Sequence, residues 1–151
     1  AQVWLEPGET YVWDLDRAPD GSLLVATGTQ GKLFQATGQG EARVLYDTDD
    51  THVRSLAVTA AGEILLGTAG EGLILSLTLP QGGGEATART LYDAPRAPEV
   101  VALVPGPDGA YAALVASEAS LVDLSGAAAT PSSGGADGTP GQGSDEGGVT
   151  M

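Results

Sequence analysis

The sequence predicts an all-β chain of about three four-stranded antiparallel repeats, followed by a disordered Gly/Ser-rich C-terminal segment. Three observations carry this expectation. The chain repeats itself over long stretches, and its apolar residues fall in short runs rich in Val, Leu, Ile and Thr. Its 23 glycines, about twice the usual share, suit many turns rather than long helices. No window sustains apolar residues at helical spacing.

The first repeat covers about residues 11–50, with strands expected at Tyr11–Arg17, Ser22–Gly28, Lys32–Ala36 and Ala42–Asp47. Pro19-Asp20-Gly21 makes the first reversal, because Pro presets φ and Gly accepts positive φ. Gly28 and Gly31 serve the next one. The second repeat, about residues 51–96, lies 41 residues on (12 to 53). Val53-Arg54-Ser55-Leu56 stands under Val12-Trp13-Asp14-Leu15, and Ile64 to Thr68 under Leu23 to Thr27. Thr90-Leu91-Tyr92-Asp93 meets Val44-Leu45-Tyr46-Asp47 once extra residues around Gln81 to Glu85 are allowed. The third repeat, about 97–124, opens on Val100-Val101-Ala102-Leu103, and its Pro107-Asp108-Gly109 restates the first turn. Its later part matches more weakly. Running backward, Val3-Trp4-Leu5-Glu6 lies 41 before Val44 to Asp47, so residues 1–6 are expected to be the last strand of a preceding copy.

Residues recurring at matched positions form the expected core: Leu15, Leu23, Val25, Leu33, Leu56, Ile64, Leu66, Ile74, Leu103 and Leu121. Residues 125–148 contain no large apolar side chain and cannot offset the entropy of ordering. They read as a low-complexity loop or linker, with 149–151 as the possible start of a further strand.

Four strands per roughly 41–47 residues is the period of a propeller blade, which makes residues 1–124 a partial β-propeller of about three blades. The run Pro19-Asp20-Gly21-Ser22-Leu23-Leu24-Val25-Ala26-Thr27-Gly28, echoed by Gly67-Thr68, resembles bacterial WD40-like and two-component-regulator-type propellers. The Gly-His and Trp-Asp pair of true WD40 repeats is missing, and Trp13-Asp14 sits elsewhere in the blade. The resemblance implies a non-catalytic ligand- or protein-recognition module of a larger bacterial protein, a sensor or scaffold, periplasmic or extracellular rather than cytoplasmic. The alternative it permits is part of a lactonase- or lyase-type propeller enzyme with its active site at the central channel. The fold itself hosts many functions.

Charge and composition narrow the partners. Six Lys and Arg against twenty Asp and Glu give a net charge of −14, which argues against nucleic acid and against anionic membrane surfaces. No apolar run approaches the ~20 residues of a spanning helix. There is no Cys, and His52 is the one histidine, so neither a Cys-based nor a His-rich metal site is expected, nor a cofactor. Gly28-Thr29-Gln30-Gly31-Lys32 lacks Walker spacing and reads as a hairpin turn. Asp47-Thr48-Asp49-Asp50 lacks the remaining ligands of a Ca²⁺ loop and reads as a solvated loop.

In the resembling propellers the start of each innermost strand lines the mouth of the channel. That register holds Tyr11 and Trp13 in the first repeat, His52 and Arg54 in the second, and Glu99 and Val101 in the third. Tyr11, Trp13, His52, Arg54 and Glu99 are the candidate ligand-binding residues, and no catalytic residue is assigned. Three repeats cannot close a ring, so an open arc with uncovered apolar ends near Trp4 and Leu121, prone to association, is expected alongside the remaining blades of a parent chain.

Overall fold

The computed structural model describes residues 1–93, 99–115 and 119–125. Within them the chain is all-β without helix, and its eleven strands form one antiparallel sheet that does not close on itself. The first meander is β1 (Tyr11–Arg17), β2 (Leu23–Gly28), β3 (Lys32–Gly38) and β4 (Glu41–Asp47). The second is β5 (His52–Val58), β6 (Ile64–Ala69), β7 (Leu73–Thr78) and β8 (Thr87–Asp93). The third is β9 (Glu99–Gly106), β10 (Gly109–Val115) and β11 (Ala119–Asp123). The expectations for 125–148 and 149–151 lie outside the described residues, Ser125 excepted.

Within a meander each strand pairs with the next along most of its length. Between meanders the ladder shrinks to a single pair, Gly28 with His52 and Ala69 with Glu99. The meanders are instead joined by apolar side chains. Leu24, Ala26, Leu33 and Leu45 of the first cluster with Val53, Leu56, Ile64, Leu66, Leu75 and Leu77 of the second. Ala57, Leu65 and Ile74 of the second cluster with Val100, Leu103, Ala110, Ala112 and Leu114 of the third. Fully burying one Leu or Ile contributes about 1.5–3 kcal/mol, against about 0.5–1.5 for one net hydrogen bond. Packing of these side chains therefore dominates the joining of one meander to the next.

Side chains complete the hydrogen bonding that the short ladders leave open. The buried Thr27 hydroxyl donates to the Lys32 carbonyl at 2.8 Å, and its counterpart Thr68 accepts from the Leu73 amide at 2.9 Å. The recurring Gly-Thr and Ala-Thr steps thus fasten the β2–β3 and β6–β7 reversals. Gly21 and Gly62 hold φ of +86° and +83° in equivalent turns, a conformation that L side chains resist.

Three expectations need correction. Leu15 is 54 % exposed rather than core, and Leu23 is half-buried, whereas their counterparts Leu56 and Ile64 are 4 % and 1 % exposed. The cause is position: the first meander covers that face of the second, and among the described residues no meander covers the equivalent face of the first. Residues 1–6 form no strand, although the Trp4 carbonyl accepts a hydrogen bond from the Gly40 amide at 3.1 Å. The side chain of Leu121, on β11, lies outside the described residues; the other core candidates are buried.

Candidate functional site

The opening strands of the three meanders, β1, β5 and β9, each carry a β-bulge at the same place in the repeat. Pairing of β1 with β2 steps from Val12 to Asp14 and skips Trp13. Pairing of β5 with β6 steps from Val53 to Ser55 and skips Arg54. Pairing of β9 with β10 skips Val101 between Val100 and Ala102. A bulge leaves one residue without a partner and re-aims its side chain. Three equivalent bulges therefore present Trp13, Arg54 and Val101 near the start of the opening strand of each meander.

The five candidate residues form one continuous row. Tyr11 and Trp13 stack with ring centroids 4.8 Å apart and planes at 26°. The imidazole of His52 meets the Trp13 ring edge-on, 5.4 Å between centroids and 82° between planes. The Trp13 indole N–H donates to His52 Nδ1 at 3.3 Å, so that nitrogen is the acceptor. The Arg54 guanidinium stands 4.5 Å from the centroid of Trp13, a cation–π contact. Its Nε also donates to Glu99 Oε1 in the one salt bridge among the described residues. Both partners are about a third exposed, so this pair orients more than it stabilises, at about 0.2–1 kcal/mol.

Gly28 makes the close approach to His52 possible. A Cβ built there would lie 1.9 Å from His52 Nδ1. Its place in the sequence marks Gly28 only as a hairpin residue, because the cross-repeat neighbour of a turn residue is invisible along the chain. The row remains accessible: Tyr11 is 46 % exposed, and Trp13, His52, Arg54 and Glu99 are partly exposed. It joins a planar aromatic pair, an imidazole, a guanidinium and a carboxylate, which can stack on a ligand and hydrogen-bond its polar edge.

Asp14 and Asp16 hold β1 beside β5. One carboxylate oxygen of each accepts from a β5 amide, Leu56 and Val58 respectively, both at 2.9 Å. The other oxygen accepts from the next amide on β1, Leu15 and Arg17. Ser55, the counterpart of Asp14, donates to the Val100 carbonyl of β9 at 2.8 Å. Side chains thus replace a backbone ladder between the opening strands of neighbouring meanders.

The acidic loop before β5 is turn architecture. Asp50 Oδ1 accepts from the Glu71 amide at 2.9 Å, while Glu9, its counterpart 41 residues earlier, accepts from the Thr29 and Gln30 amides. Each carboxylate therefore caps the second reversal of the repeat that follows it. Beside this loop the Tyr46 phenol is pushed above its usual range by burial, with Asp49 and Asp47 adding repulsion. Among the described residues no three His, Asp or Glu side chains stand close enough to hold a metal ion. No helix among them is long and apolar enough to cross a membrane. No family model matches the chain, and no curated protein matches it.

Proposed function

We propose that this chain is a non-catalytic recognition module whose meanders are propeller blades and whose ligand lies across Tyr11, Trp13, His52, Arg54 and Glu99. One observation carries the reading: repeat-equivalent bulges turn Trp13 and Arg54 into one accessible row with Tyr11, His52 and Glu99, while the core beneath them stays apolar. Conserving the scaffold while varying one register is how repeat proteins build binding faces. The blade reading is supported by meanders of four, four and three described strands whose innermost strands neighbour one another. The row favours a small molecule or peptide side chain with a flat apolar face and an acceptor group. Tyr11 and Trp13 offer the stacking surface, and Arg54 retains donors beyond the Nε that Glu99 holds.

The test is nuclear magnetic resonance with a fragment collection of aromatic and heteroaromatic acids. The chain has two indoles, Trp4 and Trp13, and a Trp13→Phe spectrum assigns their Nε1–H signals. Binders are expected to shift the Trp13 indole and His52 resonances and to lose affinity about tenfold or more in Tyr11→Ala. Binders that shift only Trp4, or none at millimolar concentration, reject the proposal.

A further inference from the structure

The first and last meanders each leave unmade the contact that the middle one makes. Val12 and Leu15 are 51 % and 54 % exposed, yet their counterparts Val53 and Leu56 are buried against the first meander, and Val100 and Leu103 are buried in the cluster shared with the second. At the other end Val104 and Tyr111 are 57 % and 39 % exposed, while their counterparts Ala57 and Leu65 are buried in the cluster shared with the third. One end therefore offers the receiving half of the repeat interface, and the other offers the inserting half.

The polar groups of the two ends also match. β5 receives caps on Leu56 and Val58 from Asp14 and Asp16 of the meander before it. The same two carboxylates already cap Leu15 and Arg17 on β1, so β1 needs none from outside. Position by position, β9 carries Ala102 and Val104 where β1 carries Asp14 and Asp16, and supplies none. An apolar inserting edge thus faces a receiving edge whose amides are already satisfied.

The N-terminal arm marks where a docked unit sits. The Gly40 amide donates to the Trp4 carbonyl as the Ala86 amide, at the corresponding place in the second repeat, donates to the Leu45 carbonyl of β4. Trp4 and Leu45 are 41 residues apart, so the arm occupies the place of a preceding meander's outer strand. Between it and the first meander lies a cleft of about 410 Å³ lined by Trp4, Arg17, Leu23 and Ala36. Among the described residues β11 ends the sheet, with three strands in its meander.

We propose that a second copy of this chain docks head to tail, its Val104–Tyr111 face packing on Val12 and Leu15 of the first, with the first copy's arm lying along β11. Such an interface is heterologous, one patch meeting a different one. The net charge of −14 opposes the approach of two copies, so added salt tightens the association.

Sedimentation equilibrium of the whole chain tests this, with Leu15→Asn and Val104→Asn as variants that add no charge and leave the core alone. The wild type is expected to gain mass with concentration and with salt. Each variant alone is expected to associate about 10–100-fold more weakly, from the lost burial of one side chain. An equimolar mixture of the two is expected to dimerise near the wild-type constant, since each variant retains the half its partner needs; circular dichroism confirms that both are folded. A wild type that stays at single-chain mass up to about 100 µM overturns the proposal and leaves the faces to another repeat. So do folded variants that associate as the wild type does, and a mixture that remains monomeric.

Discussion

Gly28 and Gly67 show how single residues without side chains shape this protein. The nearest atoms to a Cβ at Gly28 belong to the His52 imidazole, a side chain that can turn aside, so Gly28→Ala is expected to displace His52 and break its contact with Trp13 at about 1 kcal/mol. The measurement is the Trp13 indole N–H shift, which should move although the thermal midpoint changes little. A Cβ at Gly67 meets Ser55 Oγ at 2.3 Å and Val100 Cγ1 at 2.5 Å, both buried between β5 and β9. Gly67→Ala is therefore expected to cost about 1–3 kcal/mol in a urea melt. Asp20 adds a dependence on pH. The Ser22 hydroxyl and then its amide donate to the carboxylate and hold it below its usual 3.8. A carboxyl lowered on folding contributes stability above its unfolded value and loses it as pH falls through the folded one. Urea midpoints should accordingly fall on acidification below about pH 4, and less steeply in Asp20→Asn. Equal slopes would remove Asp20 from the account.

At the scale of the element, the short bridges between meanders place weight on side-chain caps. Asp14 binds the Leu56 amide and Asp16 the Val58 amide, and both are charge-assisted bonds at a partly exposed edge. Removing either carboxylate is expected to cost about 1–2 kcal/mol. The Asp14→Ala and Asp16→Ala losses should combine non-additively, because both act on one strand contact. The readout is amide exchange at Leu56 and Val58, which should accelerate before the interior of β6 does. Uniform acceleration across the sheet would mean that the caps stabilise the fold without joining β1 to β5. Only part of this was legible in sequence. Matched strands appeared because burial imposes apolar residues at equal spacing, as in β2 and β6. The bulges at Trp13, Arg54 and Val101 did not, since a skipped pairing leaves no compositional mark.

For the whole molecule, stability should be graded from the middle outward. Every residue of β6 is buried, whereas β4 and β8 are largely exposed outer strands. Amide exchange is expected to be slowest in β5 and β6 and fastest in β4 and β8. Leu66→Ala, at a fully buried position packed among side chains of two meanders, is expected to cost about 2–5 kcal/mol in urea. That is a large share of the ~5–15 kcal/mol that holds an ordinary domain together. A loss under about 1 kcal/mol would mean that the joint between the meanders relaxes freely.

The sequence by itself determined the all-β class, the positions of the strands and the equivalence of one repeat to the next. These follow from local chemistry: Gly and Pro set the turns, and short apolar runs set the strands. Repeat register also put Tyr11, Trp13, His52, Arg54 and Glu99 at equivalent places near the start of each repeat, and the resemblance to propellers singled them out as candidates. Tertiary structure alone decided that they touch, through bulges that turn Trp13 and Arg54 onto each other and a glycine that admits His52. It also decided that Leu15 is exposed where Leu56 is buried. Apolar patterning at matched repeat positions cannot distinguish those two fates, because burial depends on the neighbour that a residue meets across space, and among the described residues only Leu56 has another meander packed over it.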